Sequence, residues 1–222
     1  KYIFIFINYT MKSSSNFKKL PIILFGNGKV PTHSSVLKKI DNANTILCVD
    51  GASDKLIKLG YKPNLILGDF DSLKLNINEY PCETIHLPDQ SNTDLEKSLL
   101  WCINHNIKEL TLIGFSEKRD DHSMASLWGL RYFSKKIKIS IVSDYAEIFF
   151  IKGKSKFLTT PNQIISIIPN NLKTSIKTSG LQYELNNQSL KSYGNGISNI
   201  AIKEQIEIHT DDWVWLFINH TK

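Results

Sequence analysis

Leu65-Ile66-Leu67-Gly68-Asp69-Phe70-Asp71-Ser72 is the stretch on which the reading of this 222-residue chain turns. Its first three residues form an apolar run that reads as the end of a buried strand. On a strand, residues i and i+2 point to the same side. If extended geometry runs on through Asp71, the carboxylates of Asp69 and Asp71 face one point in space. Paired carboxylates suit Mg²⁺ when it arrives carrying phosphate oxygens. Gly68 leaves room for close approach by a ligand or a neighbouring backbone. Taken alone, a D-x-D pair is more often a polar turn after a strand, so its neighbours have to decide.

Upstream, Pro21 to Phe25 is a first core strand. Gly26-Asn27-Gly28 follows as a strand-to-helix loop of the kind that brings backbone N–H groups to a phosphate, without the spacing of the dinucleotide fingerprint. Val36, Leu37 and Ile40 mark a helix over Ser34 to Ile40. Thr45 to Val49 is a second strand ending at Asp50-Gly51-Ala52. Asp50 sits where open α/β sheets bind ligands, or it caps the helix Lys55 to Leu59; both can hold. Gly60 and Pro63 are stop signals.

Downstream, Thr84 to Leu87 is a fourth strand, and a helix over Leu95 to His105 buries Leu95, Leu99, Leu100, Cys102 and Ile103. Read alone, Asp94 caps that helix or favours its dipole. Lys108 to Ile113 is a fifth strand, followed by the charged loop Ser116 to His122. A helix carrying Leu127, Trp128, Leu130 and Tyr132 comes next, then a sixth strand, Ile137 to Val142. This alternation predicts a parallel sheet with right-handed crossovers. Each polar cluster follows a strand, so Asp50, Asp69, Asp71, Asp94, Arg119 and Asp121 should converge at one sheet edge. Several carboxylates with one arginine point to metal-assisted phosphoryl chemistry.

After residue 143 the character changes. Strands are expected at Glu147 to Ile151, Gln163 to Ile168, Ile200 to Ile202 and Gln205 to Ile208, with no amphipathic helix of useful length. That predicts an all-β second domain, a sandwich. The boundaries expected are an extension of unassigned role over residues 1–20, an α/β domain with a Rossmann-like parallel sheet over 21–143, and the β-sandwich over 144–222. Lys1 to Ile7 begins like a signal peptide, but the apolar stretch is short and has no small-residue cleavage site. No later stretch is long enough to span a membrane. The net charge is +6, yet the lysines are scattered, which gives nucleic-acid binding little support. Cys48, Cys82 and Cys102 are odd in number and form no C-x-x-C, so a reducing, cytoplasmic setting is expected.

With these blocks in order, the chain resembles the thiamine pyrophosphokinases over nearly all of residues 21–222. The resemblance rests on Gly26-Asn27-Gly28 with Pro31-Thr32-His33, Val49-Asp50-Gly51-Ala52, Gly68-Asp69-Phe70-Asp71-Ser72, Pro88-Asp89-Gln90 and Thr93-Asp94-Leu95-Glu96-Lys97. It continues with Arg119-x-Asp121-His122, Gly180-Leu181-Gln182-Tyr183 and Gly196-Ile197-Ser198-Asn199. It implies a homodimer that transfers a diphosphoryl group from ATP to the hydroxyl of thiamine, giving thiamine diphosphate and AMP. It implies that Asp69, Asp71 and Asp94 hold Mg²⁺ on the triphosphate, and that Arg119 and Asp121 join them in catalysis. Asn27, Gly28, Asp50, Gln90, Arg119 and His122 would line the nucleotide site. Ser198, Asn199 and Trp215 would lie in a thiamine pocket between subunits, with Trp215 stacking on a thiamine ring or serving as a core or interface tryptophan. His122 is either catalytic or a buried, hydrogen-bonded histidine. Two departures from the family pattern are Glu117-Lys118, where glycines are common, and Ser126, where an Asn is common. The competing readings are a phosphatase with an aspartyl nucleophile and a non-catalytic binding protein on the same fold.

Overall fold

A computed structural model describes residues 17–116 and 119–221. In chain order the elements are β1 (Ile22–Phe25), α1 (Ser34–Asp41), β2 (Thr45–Val49), α2 (Ala52–Lys58), β3 (Leu65–Gly68), β4 (Glu83–His86), α3 (Asp94–Asn104), β5 (Glu109–Ile113) and α4 (Asp120–Phe133). Then come β6 (Lys138–Val142), β7 (Ala146–Leu158), β8 (Ile164–Pro169), β9 (Ile176–Ser179), β10 (Asn199–Ile200) and β11 (Gln205–Asn219). The chain is thus a mixed α/β protein with one large sheet and few helices. The extension expected over residues 1–20 falls mostly outside the described residues, as does Glu117-Lys118.

Strands β1 to β6 pair in parallel in the spatial order β4-β3-β2-β1-β5-β6. The central strands β1, β2 and β3 suit this because they are buried on both faces, whereas the edge strand β4, Glu83-Thr84-Ile85-His86, is partly exposed. Ile22 and Leu24 of β1 join a core with Leu95 and Leu99 of α3 and Leu130 and Phe133 of α4. Ile23 and Phe25 join a second core with Val36 and Ile40 of α1 and Ala52 and Leu56 of α2. A parallel sheet is stable when helices cover both its faces. The chain steps from β1 outward to β4 and then returns to the other flank of β1 as β5. The loops after β1 and β5 therefore leave the sheet at its topological switch point, the place where open α/β sheets bind ligands.

Those two loops are tied together. The N–H groups of Gly26, Gly28 and Lys29 donate to the carbonyls of Ile113 (2.8 Å), Gly114 (2.5 Å) and Ser116 (3.2 Å). Gly114 has φ +77, and a Cβ there would stand 2.5 Å from the Gly26 carbonyl oxygen. These three N–H groups are consequently not presented to a phosphate; the glycines serve close approach of the loops. The segment after β6 adds a further tie. Asp144 accepts from the Thr32 N–H (2.8 Å), the Thr32 hydroxyl (2.7 Å) and the His33 N–H (2.9 Å), beside Lys29 Nζ at 3.4 Å.

Burial pushes the Asp144 carboxyl up, but the donors from His33, Thr32 and Lys29 outweigh it and hold it at about 2. A carboxyl lowered on folding stabilises the protein above its unfolded value, and that stabilisation is lost as pH falls through the folded value. Asp144→Ala should therefore cost on the order of 1 kcal/mol at pH 7. Urea midpoints for wild type and variant should converge between about pH 4 and pH 2.

Past β6 the pairing turns antiparallel, with Ile141 opposite Ile148 of β7. Strands β7 and β11 pair along most of their lengths, with a register shift between Thr210 and Val214. Before the shift β11 also pairs with β9, and after it with β8, whose other edge carries β10. Such a bulge bends and twists its strand. Ile206 and Ile208 from one half, and Val214, Leu216 and Ile218 from the other, share a third core with Ile165, Ile167 and Ile176. Among the described residues no helix is long and apolar enough to cross a membrane.

Candidate active site

The ends of β2 and β3 create the acidic centre. Asp50 follows β2 directly. Its N–H donates to the Leu67 carbonyl at 2.9 Å, which extends the β2–β3 pairing by one residue. Its φ of +43 then turns the chain into α2. The carboxylate does not cap that helix. Gly51 occupies the N-cap, and the Asp50 carbonyl, not its side chain, accepts from Ser53 N–H (3.1 Å) and Ser53 Oγ (2.9 Å). Asp50 is 2% exposed.

Gly68 ends β3, so extended geometry does not run through Asp71. Phe70 adopts φ +71 instead, a left-handed conformation disfavoured by about 1–2 kcal/mol for a residue with a Cβ. Its ring packs into the α1–α2 side core and stacks on His86 at 5.4 Å, which offsets that cost. The turn, rather than strand alternation, brings Asp69 and Asp71 together. One oxygen from each of Asp50, Asp69 and Asp71 lies within 4.8 Å of the others.

A Cβ on Gly68 would sit 2.9 Å from the Asp50 Cβ and 3.2 Å from its Cγ. The close approach that Gly68 permits is to the Asp50 side chain. Gly68→Ala should cost about 1–3 kcal/mol through overpacking and displace the Asp50 carboxylate. The expected readout is a lowered urea midpoint together with a loss of activity larger than that midpoint change explains.

The hydrogen bonds around this group leave one buried oxygen without a partner. Ser72 Oγ lies 2.5 Å from Asp50 Oδ2 and 3.0 Å from Asp71 Oδ1, yet a hydroxyl has one proton to donate. Asp50 Oδ1 is buried without a hydrogen-bond partner. Burial raises the Asp50 carboxyl, the Ser72 hydrogen bond opposes this, and Asp71, Asp94 and Asp69 add to it. Asp69 Oδ2 accepts from Gln90 Nε2 at 2.9 Å and from Lys97 Nζ at 3.1 Å. Burial pushes Asp69 up, but Lys97 and Gln90 outweigh it and hold it below the usual carboxylate range. Three hard oxygen donors, one buried and unpartnered, fit a divalent cation such as Mg²⁺.

Asp94 stands apart from this trio. Thr93 caps α3 in a reciprocal box with Glu96, so Asp94 is not the cap. Its Oδ1 pairs with Lys97 Nζ at 2.7 Å, and Lys97 in turn reaches Asp69. In the sequence Lys97 stands out only as the last residue of the Thr93-Asp94-Leu95-Glu96-Lys97 block. Its spacing of three from Asp94 is the signal that could find it, since such helix positions are neighbours.

Arg119 and Asp121 form a two-point ion pair at the start of α4, with Nε–Oδ1 at 3.1 Å and Nη2–Oδ2 at 2.6 Å, and both side chains 63% exposed. Among the described residues no hydrogen bond or ion pair joins them to the carboxylate group. His122 is exposed rather than buried, and Ser126 is buried with its hydroxyl donating to the His122 carbonyl at 2.9 Å. Asn27 is exposed, and its carbonyl and that of Gly28 accept from Lys55 Nζ at 2.9 and 2.8 Å.

Two family models match the chain: "Thiamin pyrophosphokinase, catalytic domain" over residues 36–142, and "Thiamin pyrophosphokinase, vitamin B1 binding domain" over residues 154–215. A Thiamin pyrophosphokinase 1 of Caenorhabditis elegans is 30% identical over 193 residues, covering 80% of this chain and 79% of that protein. The chain belongs to the thiamin pyrophosphokinase family. A Thiamine pyrophosphokinase 1 of Oryza sativa is 28% identical over 259 residues, covering 93% of this chain and 96% of that protein. The fold is likewise that of solved thiamin pyrophosphokinases. The Bacillus subtilis structure superposes with a TM-score of 0.75 at 21% identity, over 90% of this chain and 99% of its own. The Candida albicans structure gives 0.76 at 16% identity, over 90% of each.

In this chain, Ser198, Asn199 and Trp215 are spread over the β-rich part. Asn199 spends its side chain on structure: Oδ1 accepts from the N–H groups of Tyr183 (3.1 Å) and Ile200 (2.8 Å), and Nδ2 donates to the Tyr183 carbonyl (2.7 Å). Ser198 is exposed at φ +60, its N–H donating to Ser166 Oγ at 3.1 Å. Ser166 lies opposite Phe217, on the face of β11 that also carries Trp215. Trp215 itself is 8% exposed and packs against Phe150 (4.6 Å) and Trp128 (6.2 Å).

Proposed function

We propose that this chain transfers a diphosphoryl group from ATP to the hydroxyl of thiamine, giving thiamine diphosphate and AMP. The thiamine oxygen bonds to the β-phosphorus, the bond from that phosphorus to the bridging oxygen of the α-phosphate breaks, and AMP leaves while the hydroxyl proton passes to solvent. The observation that carries the reading is the unpartnered, buried Asp50 Oδ1 beside Asp69 and Asp71 in a chain of this family. Asp50, Asp69 and Asp71 would hold Mg²⁺, with Asp94 held outside the group by its pair with Lys97, which in turn pairs with Asp69. The ion would neutralise the charge that builds up between the phosphates.

The chain's own residues do the rest. Gln90 and Lys97 orient Asp69. Arg119, held by Asp121 and free to exchange that exposed partner for phosphate oxygens, suits the nucleotide's negative charge. Ser198 and Asn199 fall within the span of the vitamin B1 binding model, as does Trp215, which favours the thiamine pocket there. A Rossmann-like domain over residues 21–143 is supported by the order of the parallel strands, and a β-sandwich over 144–222 by the shared core of the two halves of β11. A homodimer is supported by Met124, Trp128 and Tyr132, which are spaced four apart on α4 and all exposed. Cys48, Cys82 and Cys102, none of them in a disulfide, favour a cytoplasmic setting.

The deciding experiment supplies thiamine, ATP and Mg²⁺ and follows thiamine diphosphate and AMP together. Equal amounts of the two support the reading. Inorganic phosphate without AMP would favour phosphatase-like chemistry, and binding of either substrate without turnover would favour a non-catalytic protein.

A further inference from the structure

Lys97 is buried, with its side chain 5% exposed, and its ammonium lies between Asp69 Oδ2 (3.1 Å) and Asp94 Oδ1 (2.7 Å). The capping box of Thr93 and Glu96 fixes the first turn of α3 and so fixes where Lys97 stands. A lysine is rarely buried unless it is paired. Here it is paired twice, once with Asp69 of the acidic trio and once with Asp94 outside it. Asp50, Asp69 and Asp71 crowd within 4.8 Å, and Asp50 Oδ1 points into buried space without a partner. The positive charge of Lys97 offsets part of that repulsion, and the short bond to Asp94 keeps the fourth carboxylate out of the group.

The sign of the charge has a consequence for loading. A bare divalent cation entering the trio is repelled by Lys97, whereas a cation carried on a nucleotide's phosphates brings a net negative charge that Lys97 attracts. We propose that Lys97 is a built-in counter-cation: it weakens the trio's hold on free divalent ions and so favours entry of the cation together with the nucleotide. The proposal rests on the reading of Asp50, Asp69 and Asp71 as the metal group, and it makes Lys97 a positioning residue.

The test is a titration of the folded protein with Mn²⁺ alone and with Mn²⁺–ATP, read by the electron paramagnetic resonance of free Mn²⁺ and by calorimetry. Removing one positive charge a few ångströms from a divalent ion should tighten free Mn²⁺ binding about tenfold. Lys97→Met should therefore bind Mn²⁺ about tenfold more tightly than wild type and Mn²⁺–ATP more weakly, while Lys97→Arg stays close to wild type in both. If Lys97→Met does not fold, Lys97→Gln, which keeps a donor for Asp94 without the charge, is expected to behave in the same way. Free Mn²⁺ binding that is unchanged or weaker in the folded neutral variant overturns the proposal. Asp71→Asn separates that failure from a failure of the site: it should weaken Mn²⁺ binding with Lys97 present or replaced, and if it has no effect the metal group itself is misassigned.

Discussion

Asp71→Asn should leave the chain folded and remove nearly all turnover. Asp71 is exposed, in the turn that follows β3. Its carboxylate accepts from Ser72 Oγ at 3.0 Å, and an Asn carbonyl keeps that acceptor; exposed substitutions of this kind usually stay within about 0.5 kcal/mol, and this one also relieves repulsion from Asp50 and Asp69. The thermal midpoint should therefore move by no more than a degree or two. The chemistry loses one of three oxygen donors arranged within 4.8 Å. Metal stabilisation of phosphoryl charge is worth several kcal/mol, and each 1.36 kcal/mol is tenfold in rate, so formation of thiamine diphosphate should fall about a thousandfold. Wild-type-like activity in the folded variant would sink the metal role of this carboxylate.

Trp215→Ala is expected to have its large effect on stability. The ring lies on the α4-facing side of β11, stacked near Trp128 and tilted against Phe150, which stacks on Trp213 at 4.9 Å. Removing a buried aromatic of this size costs about 3–5 kcal/mol, a large share of the roughly 5–15 kcal/mol available to a whole protein. The urea midpoint should fall sharply, whereas Trp215→Phe keeps most of the apolar contact and most of the stability. If Trp215→Ala unfolds at the wild-type midpoint, the packing account fails. A thiamine KM raised in Trp215→Phe at little cost in stability would give the ring its second role, in the substrate pocket.

The order of the elements was legible because it is written in local period. Short apolar runs separated by 3.6-period segments name strands and helices, and their alternation names a parallel sheet. All six strands from β1 to β6 and the four helices between them fall where those patterns place them, within a few residues. The β-rich part was less legible. Ile176–Ser179 reads too weakly in sequence to stand out, and Trp213 to Ile218 continues the strand expected to end at Ile208 only because a bulge carries the pairing past Asp211 and Asp212.

By itself the sequence determined the residue types of the site, the loops that carry them and the family to which they belong. The residue types and loops follow from composition and spacing along the chain, and the family from the resemblance of the ordered motifs. Which carboxylates meet was decided only by tertiary structure. Asp50 joins Asp69 because β2 and β3 are neighbours in register, and Asp71 joins them through the left-handed turn at Phe70. Asp94, equally prominent in sequence, is drawn to Lys97, and Arg119 with Asp121 forms a pair of its own. Local spacing sets the direction of a side chain within one element. Distances between elements depend on strand register, on turns of unusual φ and on where a buried charge finds its counter-ion.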